Sequence, residues 1–169
     1  MQRKSFGTME CAIARSLERV GEWWSILILR DAFYGVTRFD DFQQSLGVAP
    51  TMLTKRLGVL VEASLLERRR YQERPPRYEY LLTERGRDFR PVLLALLEWG
   101  NRHYAPDGAS VEIRDVRSGH LVETAFVDPT TGTTVPLADI RVSPGPAASE
   151  RVQRRLERHP ARFIEGEQP

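Results

Sequence analysis

The fold is decided by residues 46–86, which read LGVAPTMLTKRLGVLVEASLLERRRYQERPPRYEYLLTERG. Pro50 suits the first turn of a helix, because a backbone N–H at that position would have no partner inside the helix. Apolar residues then recur at helical spacing and predict one buried face: Leu53, Leu57, Leu60 and Val61. Thr51, Lys55 and Gly58 fall on the opposite, polar face. A helix beginning at Pro50 with one buried side is therefore expected.

An arginine-rich hairpin follows this helix. Residues 65–71 and 77–82 have the pattern of two strands, and the segment between them contains Pro75 and Pro76. Two prolines cannot donate hydrogen bonds to a strand ladder, so they belong at the tip or edge of a hairpin. Five arginines lie along the strands and the tip: Arg68, Arg69, Arg70, Arg74 and Arg77. A polar-faced helix beside a basic hairpin is typical of a winged helix-turn-helix, with the helix in a major groove and the hairpin near phosphates.

The flanking sequence predicts a mainly helical α+β domain around this pair of elements. Helices are expected over 11–20, 22–34 and 38–46, and a long helix is expected to begin at Thr83 and reach about Tyr104. The apolar stripe of that last helix exceeds what the small core beneath it needs, which favours dimerisation through it. We expect a polar arm at 1–9 and a DNA-binding and dimerisation domain at 10–105.

Beyond Pro106-Asp107-Gly108 the pattern changes. Residues 121–127 and 133–142 have the pattern of strands around a turn at 128–132, so a small β-hairpin extension is expected over 109–145. A short charged helix and a polar tail are expected to complete the chain over 146–169.

Composition and charge narrow the class of protein. The net charge is +2, with 41% hydrophobic residues. Residues 1–104 carry a charge of +4 and residues 105–169 a charge of −2, so the basic excess lies in the predicted DNA-binding part. No apolar run approaches the roughly 20 residues that cross a bilayer. We expect no membrane association and a cytoplasmic location.

Catalytic and metal-binding motifs are missing from the sequence. His103, His120 and His159 lie in separate segments, and no Gly-rich phosphate loop, HExxH or GxSxG motif is present. Cys11 is the single cysteine, which excludes an intrachain disulfide and a multi-cysteine metal site. The sequence therefore predicts a protein that is not an enzyme and that needs no cofactor.

Five sequence blocks, in one order, resemble the HxlR-type family of winged-helix transcriptional regulators, relatives of the MarR group. The blocks are CAIAR at 11–15, WSILILR at 24–30, RFDDF at 38–42, LTKRL at 53–57 and PPRYEYLLT at 75–83. The resemblance implies a homodimer that binds a palindromic operator on double-stranded DNA, and we expect a repressor. The family often has proline after the first cysteine, where this chain has Ala12.

The C-terminal part is similar to a cysteine-rich, zinc-ribbon-like extension found in a longer branch of the same family. Ser118-Gly119-His120 stands where that branch has Cys-Gly-His, and residues 128–132 stand where it has a Cys-x-x-Cys-Gly knuckle. A structural zinc site needs four nitrogen or sulfur ligands, which these residues do not supply. No metal is expected.

Seven residues are candidates for DNA contact. Thr51 and Lys55 are the candidates for base edges, with Thr54 beside them, and Arg56 at the flank of the helix suits a phosphate. The remaining candidates are Arg74 and Arg77 at the hairpin tip and Arg38 at the start of its helix. An ordinary solvated helix face and a solvated basic hairpin are the alternatives.

Two further features concern regulation. Cys11 lies at a helix N-terminus, where the helix dipole favours negative charge, and the resemblance implies sensing of oxidants or electrophiles. The alternative is a small apolar residue in the dimer interface. Aromatic residues at helical spacing are candidates for a small-molecule effector pocket, with ordinary core packing as the alternative: Trp23, Trp24, Phe33, Tyr34, Trp99 and Tyr104.

A different class of function also stays open at this point. In that alternative the chain is a winged-helix protein-interaction module, whose acidic C-terminal extension binds a protein and whose wing does not contact DNA. Binding to duplex DNA separates the two classes, because phosphate contacts make affinity fall steeply with salt concentration.

Overall fold

The computed structural model describes residues 5–158, and the chain divides into two compact units, Met1–Ile113 and Arg114–Pro169. The polar tail after Arg158 and the first four residues of the predicted N-terminal arm lie outside the described residues. The elements of the first unit are, in chain order, α1 (Ala12–Val20), α2 (Trp23–Phe33), α3 (Phe39–Leu46), α4 (Pro50–Glu62), β1 (Leu66–Gln72), β2 (Arg77–Leu82), α5 (Glu84–Arg87) and α6 (Arg90–Tyr104).

The core of the first unit is formed by one apolar face of each of α2, α3 and α4, together with the start of β1. Its fully buried side chains are Ile28, Leu29, Phe42, Leu53, Leu57, Leu60 and Leu66. Gly47, at φ +60°, ends α3 in the left-handed conformation that glycine tolerates best, and Pro50 opens α4. The predicted mainly helical winged helix-turn-helix fold is confirmed, with α3 and α4 as its paired helices.

The wing is the antiparallel hairpin of β1 and β2. Its register runs from Leu66 opposite Leu82 to Gln72 opposite Arg77, with an irregularity between Arg70 and Gln72. Hydrogen bonding also joins it to the segment before α3, because the Tyr80 N–H donates to the Thr37 carbonyl at 2.7 Å. The wing is thus held at its base by buried Leu66 and on its side by the chain that leads into the helix-turn-helix.

The predicted single helix from Thr83 to Tyr104 is wrong, because the chain forms two helices there. Thr83 does open a helix, and its hydroxyl oxygen accepts a hydrogen bond from the Gly86 N–H at 3.0 Å. That helix, α5, ends at Arg87, and α6 begins at Arg90. Pro91 explains the break, since it has no N–H to donate to the Arg87 carbonyl and its ring would collide with that carbonyl.

The second unit contains β3 (Phe126–Val127), β4 (Thr134–Val135), a 3₁₀ turn (Leu137–Asp139) and α7 (Glu150–Arg158). The charged helix expected between residues 146 and 169 is present over Glu150–Arg158. The strands predicted over 121–127 and 133–142 are wrong in extent, because only two residues of each are paired. Between residues 114 and 158, the part of this unit that the structure describes, no residue is fully buried, so little apolar surface holds longer strands together.

Candidate nucleic-acid interface

The outer face of α4 presents a small set of polar groups to solvent. Thr51, Thr54 and Lys55 are exposed, while Leu53 and Leu57 are fully buried on the opposite side. The Thr54 hydroxyl donates to the Pro50 carbonyl at 2.9 Å, so its oxygen remains available only as an acceptor. Lys55 has no carboxylate partner within residues 5–158, which leaves its ammonium group free for an external anion or base edge.

Gly58 continues this outer face one turn further along α4. A Cβ atom built at Gly58 would meet no heavy atom within 4 Å, so the absence of a side chain is not required by packing inside the protein. Glycine inside a helix lowers the stability of that helix by about 1 kcal/mol relative to alanine. Its position beside Lys55 instead leaves the helix surface flat, which suits close approach by a large partner.

Arg56 lies apart from the exposed face of α4. Its guanidinium forms an ion pair with Glu22, just before α2, with an Nη2–Oε2 distance of 2.9 Å, and its side chain is only 13% exposed. Arg56 therefore connects α4 to the start of α2, and the structure does not place it beside Thr51 and Lys55. Helical spacing could not reveal this pairing, because the two residues are 34 positions apart in the sequence.

Along the strands of the wing, the arginines are engaged by neighbouring side chains. Arg68 stacks over the Tyr78 ring, with 3.6 Å between its guanidinium carbon and the ring centroid. Arg69 pairs with Glu79 at 2.9 Å. Arg70 donates to both carboxylate oxygens of Glu73, each at 2.8 Å.

The arginines at the tip of the wing are different. Arg74 and Arg77 are both exposed, and neither has a carboxylate partner in the part of the chain that the structure describes. Within residues 5–158, the wing arginines without a carboxylate partner are therefore Arg74 and Arg77 at the tip and Arg68, whose guanidinium lies over the Tyr78 ring.

Arg38 lies at the junction between the wing and the helix-turn-helix. It is the N-cap residue of α3, and its backbone forms an isolated bridge with Glu79 of β2. Its exposed guanidinium lies 4.9 Å from the centroid of the Tyr71 ring. Tyr71, which the sequence did not single out, thereby holds a candidate phosphate-binding arginine close to the wing.

The residues proposed for regulation are dispersed. Cys11 is the half-buried N-cap residue of α1. Trp23 is 81% exposed and Trp99 50% exposed, whereas Trp24 packs against the core. A groove of about 420 Å³ lies between α2 and α6, and three of the predicted pocket residues line it: Phe33, Tyr34 and Tyr104. Three of the six aromatic candidates therefore share this groove, and the three tryptophans do not line it.

Similarity to known proteins extends over most of the chain. A family model described as HxlR-like helix-turn-helix matches residues 19–107. An uncharacterised HTH-type transcriptional regulator of Mycobacterium tuberculosis, Rv3095, is 36% identical over 136 residues, which cover 80% of this chain and 86% of the relative.

Solved structures resemble the chain as well. PA1374 of Pseudomonas aeruginosa, described as a proposed transcription factor, is 56% identical with a TM-score of 0.65, covering 86% of this chain and all of that one. PA1607, described in the same way, is 39% identical with a TM-score of 0.73, covering 83% of this chain and 99% of that one. The redox regulator HypR in its oxidised form is 31% identical with a TM-score of 0.51, covering 55% of this chain and 97% of that one.

Proposed function

The chain belongs to the HxlR-like helix-turn-helix family of DNA-binding transcriptional regulators, which are not enzymes, and on this basis we propose that it binds a palindromic operator as a homodimer and represses transcription. The observation that carries the proposal is the distribution of unpaired cations. Lys55 on α4 and Arg74 and Arg77 at the wing tip have no carboxylate partner within residues 5–158, while Arg69 and Arg70 on the wing strands do.

In the proposed complex, α4 enters a major groove and the wing follows the flanking backbone or minor groove. Thr51 and Lys55 face base edges, where a good bidentate contact gives about 1–3 kcal/mol of discrimination. Arg38, Arg74 and Arg77 contact phosphates, which fix the position of the protein but carry no sequence information. Thr54 contributes an acceptor oxygen. Arg56 is not included in this set, because it pairs with Glu22.

Exposed apolar residues on two helices support dimerisation. Ile13 and Leu17 on α1 are 72% and 46% exposed, and Leu96 and Trp99 on α6 are 45% and 50% exposed. Large apolar patches on a soluble protein are typical of interfaces. A two-fold dimer with its recognition helices about 34 Å apart would contact half-sites one turn of duplex apart.

Cys11 is proposed as a sensor of oxidants or electrophiles. Its position at the start of α1 supports this, as does the likeness to the redox regulator HypR. Because α1 carries part of the proposed dimer surface, a modified thiol there would favour a dimer with a different spacing of the two α4 helices. Such a modification changes DNA affinity only by its difference in free energy between the two dimer states.

The second unit is proposed to be a metal-free counterpart of a zinc ribbon. Asp115, Ser118 and Gly119 have the spacing of a Cys-x-x-Cys-Gly knuckle, and so do Asp128, Thr131 and Gly132. In each turn an aspartate oxygen accepts a backbone N–H two residues later, at 2.9 Å in the first turn and 2.8 Å in the second. These hydrogen bonds would replace metal ligands in holding the two turns.

The test begins with selection of bound duplexes from a random pool, followed by fluorescence anisotropy of the selected duplex at two salt concentrations. A palindromic sequence and salt-sensitive binding are expected, because each phosphate contact contributes about 0.9 to the slope of log K against log salt. A reporter gene placed behind the selected duplex then gives the sign of regulation, which we expect to be repression.

Variants locate the site within the chain. The double variant Lys55→Ala/Arg77→Ala should lose DNA affinity by about ten-fold or more while the dimer remains intact in ultracentrifugation. Arg70→Ala is the matched control, because Arg70 is on the same hairpin but pairs with Glu73. Equal affinity of the double variant and the wild type would refute the assigned site. A pool without any enriched duplex would instead favour a protein-interaction module.

A further inference from the structure

A second concave surface lies at the end of α4 that is remote from the proposed DNA contacts. It is a cleft of about 460 Å³ between α1, the junction of α4 with β1, and α5. Its lining includes Ala63, which caps the C-terminal end of α4, whereas Thr51 lies in the first turn. The rise of an α-helix separates these two residues by roughly 18 Å. This cleft is therefore distinct from the surface that faces DNA.

Positive charge dominates the cleft. Arg15 and Arg19 reach it from successive turns of α1, and Arg85 reaches it from α5. None of the three forms an ion pair within residues 5–158, and the one acidic residue in the lining is Asp88. Two arginines four residues apart on a helix repel each other. An arrangement of three unpaired guanidinium groups against one carboxylate leaves the cleft with unbalanced positive charge.

The rest of the lining combines apolar surface with a hydroxyl group. Val20 and Leu65 are buried beneath the cleft, and half-buried Phe89 contributes an aromatic side chain. Ser16, between the two arginines of α1, supplies a hydroxyl that can donate to an anion. The volume lies within the usual range for small-molecule sites, and a single inorganic ion would leave most of it empty.

We propose that this cleft binds a small organic anion, with an apolar ring or chain against Leu65 and Phe89 and a carboxylate or phosphate held by Arg15, Arg19 and Arg85. Guanidinium groups suit both acids, because their planar N–H pairs bind two oxygens at once. The ligand links α1 to α5, which directly precedes α6, so it would fix the two helices whose exposed faces are proposed for dimerisation. That regulatory consequence depends on the proposed function, whereas binding itself does not.

Binding is tested with three probes of one ring size, using the full chain and no DNA. Phenyl phosphate, benzoate and benzyl alcohol are titrated into the wild type by isothermal calorimetry, with chemical-shift perturbation as the second readout. Saturable binding of at least one anion is expected, with a Kd on the order of 1 mM or lower, and much weaker binding is expected for the neutral alcohol. Perturbed amides are expected in α1, α5 and residues 63–65.

Charge-removing variants assign the site. Arg15→Gln and Arg85→Gln should each weaken anion binding by about ten-fold, because each removes a charge-assisted hydrogen bond. Arg19→Gln is a further variant in case circular dichroism shows that one of the first two is unfolded. Arg90→Gln is the matched control: Arg90 is an exposed arginine that lines the separate groove between α2 and α6.

Three results would overturn the proposal. The first is no saturable binding of either anion. The second is equal binding of the alcohol and the anions, which would mean that the arginines do not contribute. The third is a loss of binding in Arg90→Gln with no change in Arg15→Gln and Arg85→Gln, which would place the ligand in the other groove. Because none of these measurements contains DNA, failure here leaves the DNA-binding proposal unaffected, and failure to bind DNA leaves this site unaffected.

Discussion

The two hairpins of this protein have similar sequence patterns but are held in different ways. The wing, β1–β2, pairs along six positions, anchors on fully buried Leu66 and bonds to the segment before α3. The second hairpin, β3–β4, pairs at two positions and contains no fully buried residue. In the turn between its strands, the Asp128 carboxylate accepts a hydrogen bond from the Thr130 N–H at 2.8 Å. Strand-like sequence thus yields the longer pairing in the hairpin that has a fully buried residue and a hydrogen bond to another segment.

The largest expected effect is on stability, and it tests whether a buried side chain holds the wing more firmly than the second hairpin. Leu66→Ala should lower the free energy of unfolding by about 2–5 kcal/mol, because it removes a fully buried side chain and leaves a cavity beneath the wing. Val135→Ala in β4 is the control. Because Val135 is only half-buried, this substitution should lower the free energy of unfolding much less. Urea denaturation of both variants measures the difference. Equal losses would mean that the second hairpin is as firmly packed as the wing.

The next effect concerns which hairpin contacts DNA. Arg77→Ala should weaken operator binding and reduce the slope of log K against log salt by about 0.9, the value for one lost phosphate contact. Arg117→Ala removes the same charge from an exposed residue in a turn of the second unit, and both affinity and slope should stay at wild-type values. Anisotropy titrations at several salt concentrations compare the two. A larger effect of Arg117→Ala would assign DNA contact to the extension.

Local signals in the sequence account for most of the first unit. Pro50 and the spacing of the α4 leucines identified the helix-turn-helix, and Pro75 and Pro76 identified the wing tip. These residues can be interpreted from the sequence because each one affects only the backbone at its own position or one face of a single helix or strand. Pro91 carried an equally local signal for the break between α5 and α6, and the long-helix prediction ignored it.

The remaining features depend on contacts that are distant in sequence. Arg56 was predicted to contact phosphate, but its partner Glu22 is 34 positions away. Helical spacing also did not separate the aromatic residues that line the groove between α2 and α6 (Phe33, Tyr34 and Tyr104) from the three tryptophans, which do not line it. The cationic cleft joins α1 to α5, and no periodicity within either helix predicts that meeting.

A smaller effect tests the aspartate turns of the second unit. Asp128→Ala removes the oxygen that accepts the Thr130 N–H at 2.8 Å, so amide exchange should become faster around β3 and β4 while the wing amides keep their protection. Asp128→Asn is the matched control, because its amide oxygen can accept the same hydrogen bond. Hydrogen exchange measured by NMR gives both results. Similar exchange in the alanine and asparagine variants would mean that this hydrogen bond does not hold the turn.

The smallest effect is a pH dependence of two turns in the second unit. Hydrogen bonds from the backbone lower the pKa of Asp115 and of Asp128 below the usual 3.8, mainly from the N–H of Arg117 and of Thr130 respectively. A lowered pKa in the folded state means that the ionised carboxylate stabilises the turn above pH 3.8, and that this contribution is lost as the pH falls through the lowered pKa. An NMR titration should therefore show the Arg117 and Thr130 amides shifting with midpoints below pH 3.8. The Tyr80 amide of the wing donates to a backbone carbonyl and is the internal reference. Carboxyl midpoints above 3.8, or a Tyr80 shift parallel to the other two, would contradict an origin in these local hydrogen bonds.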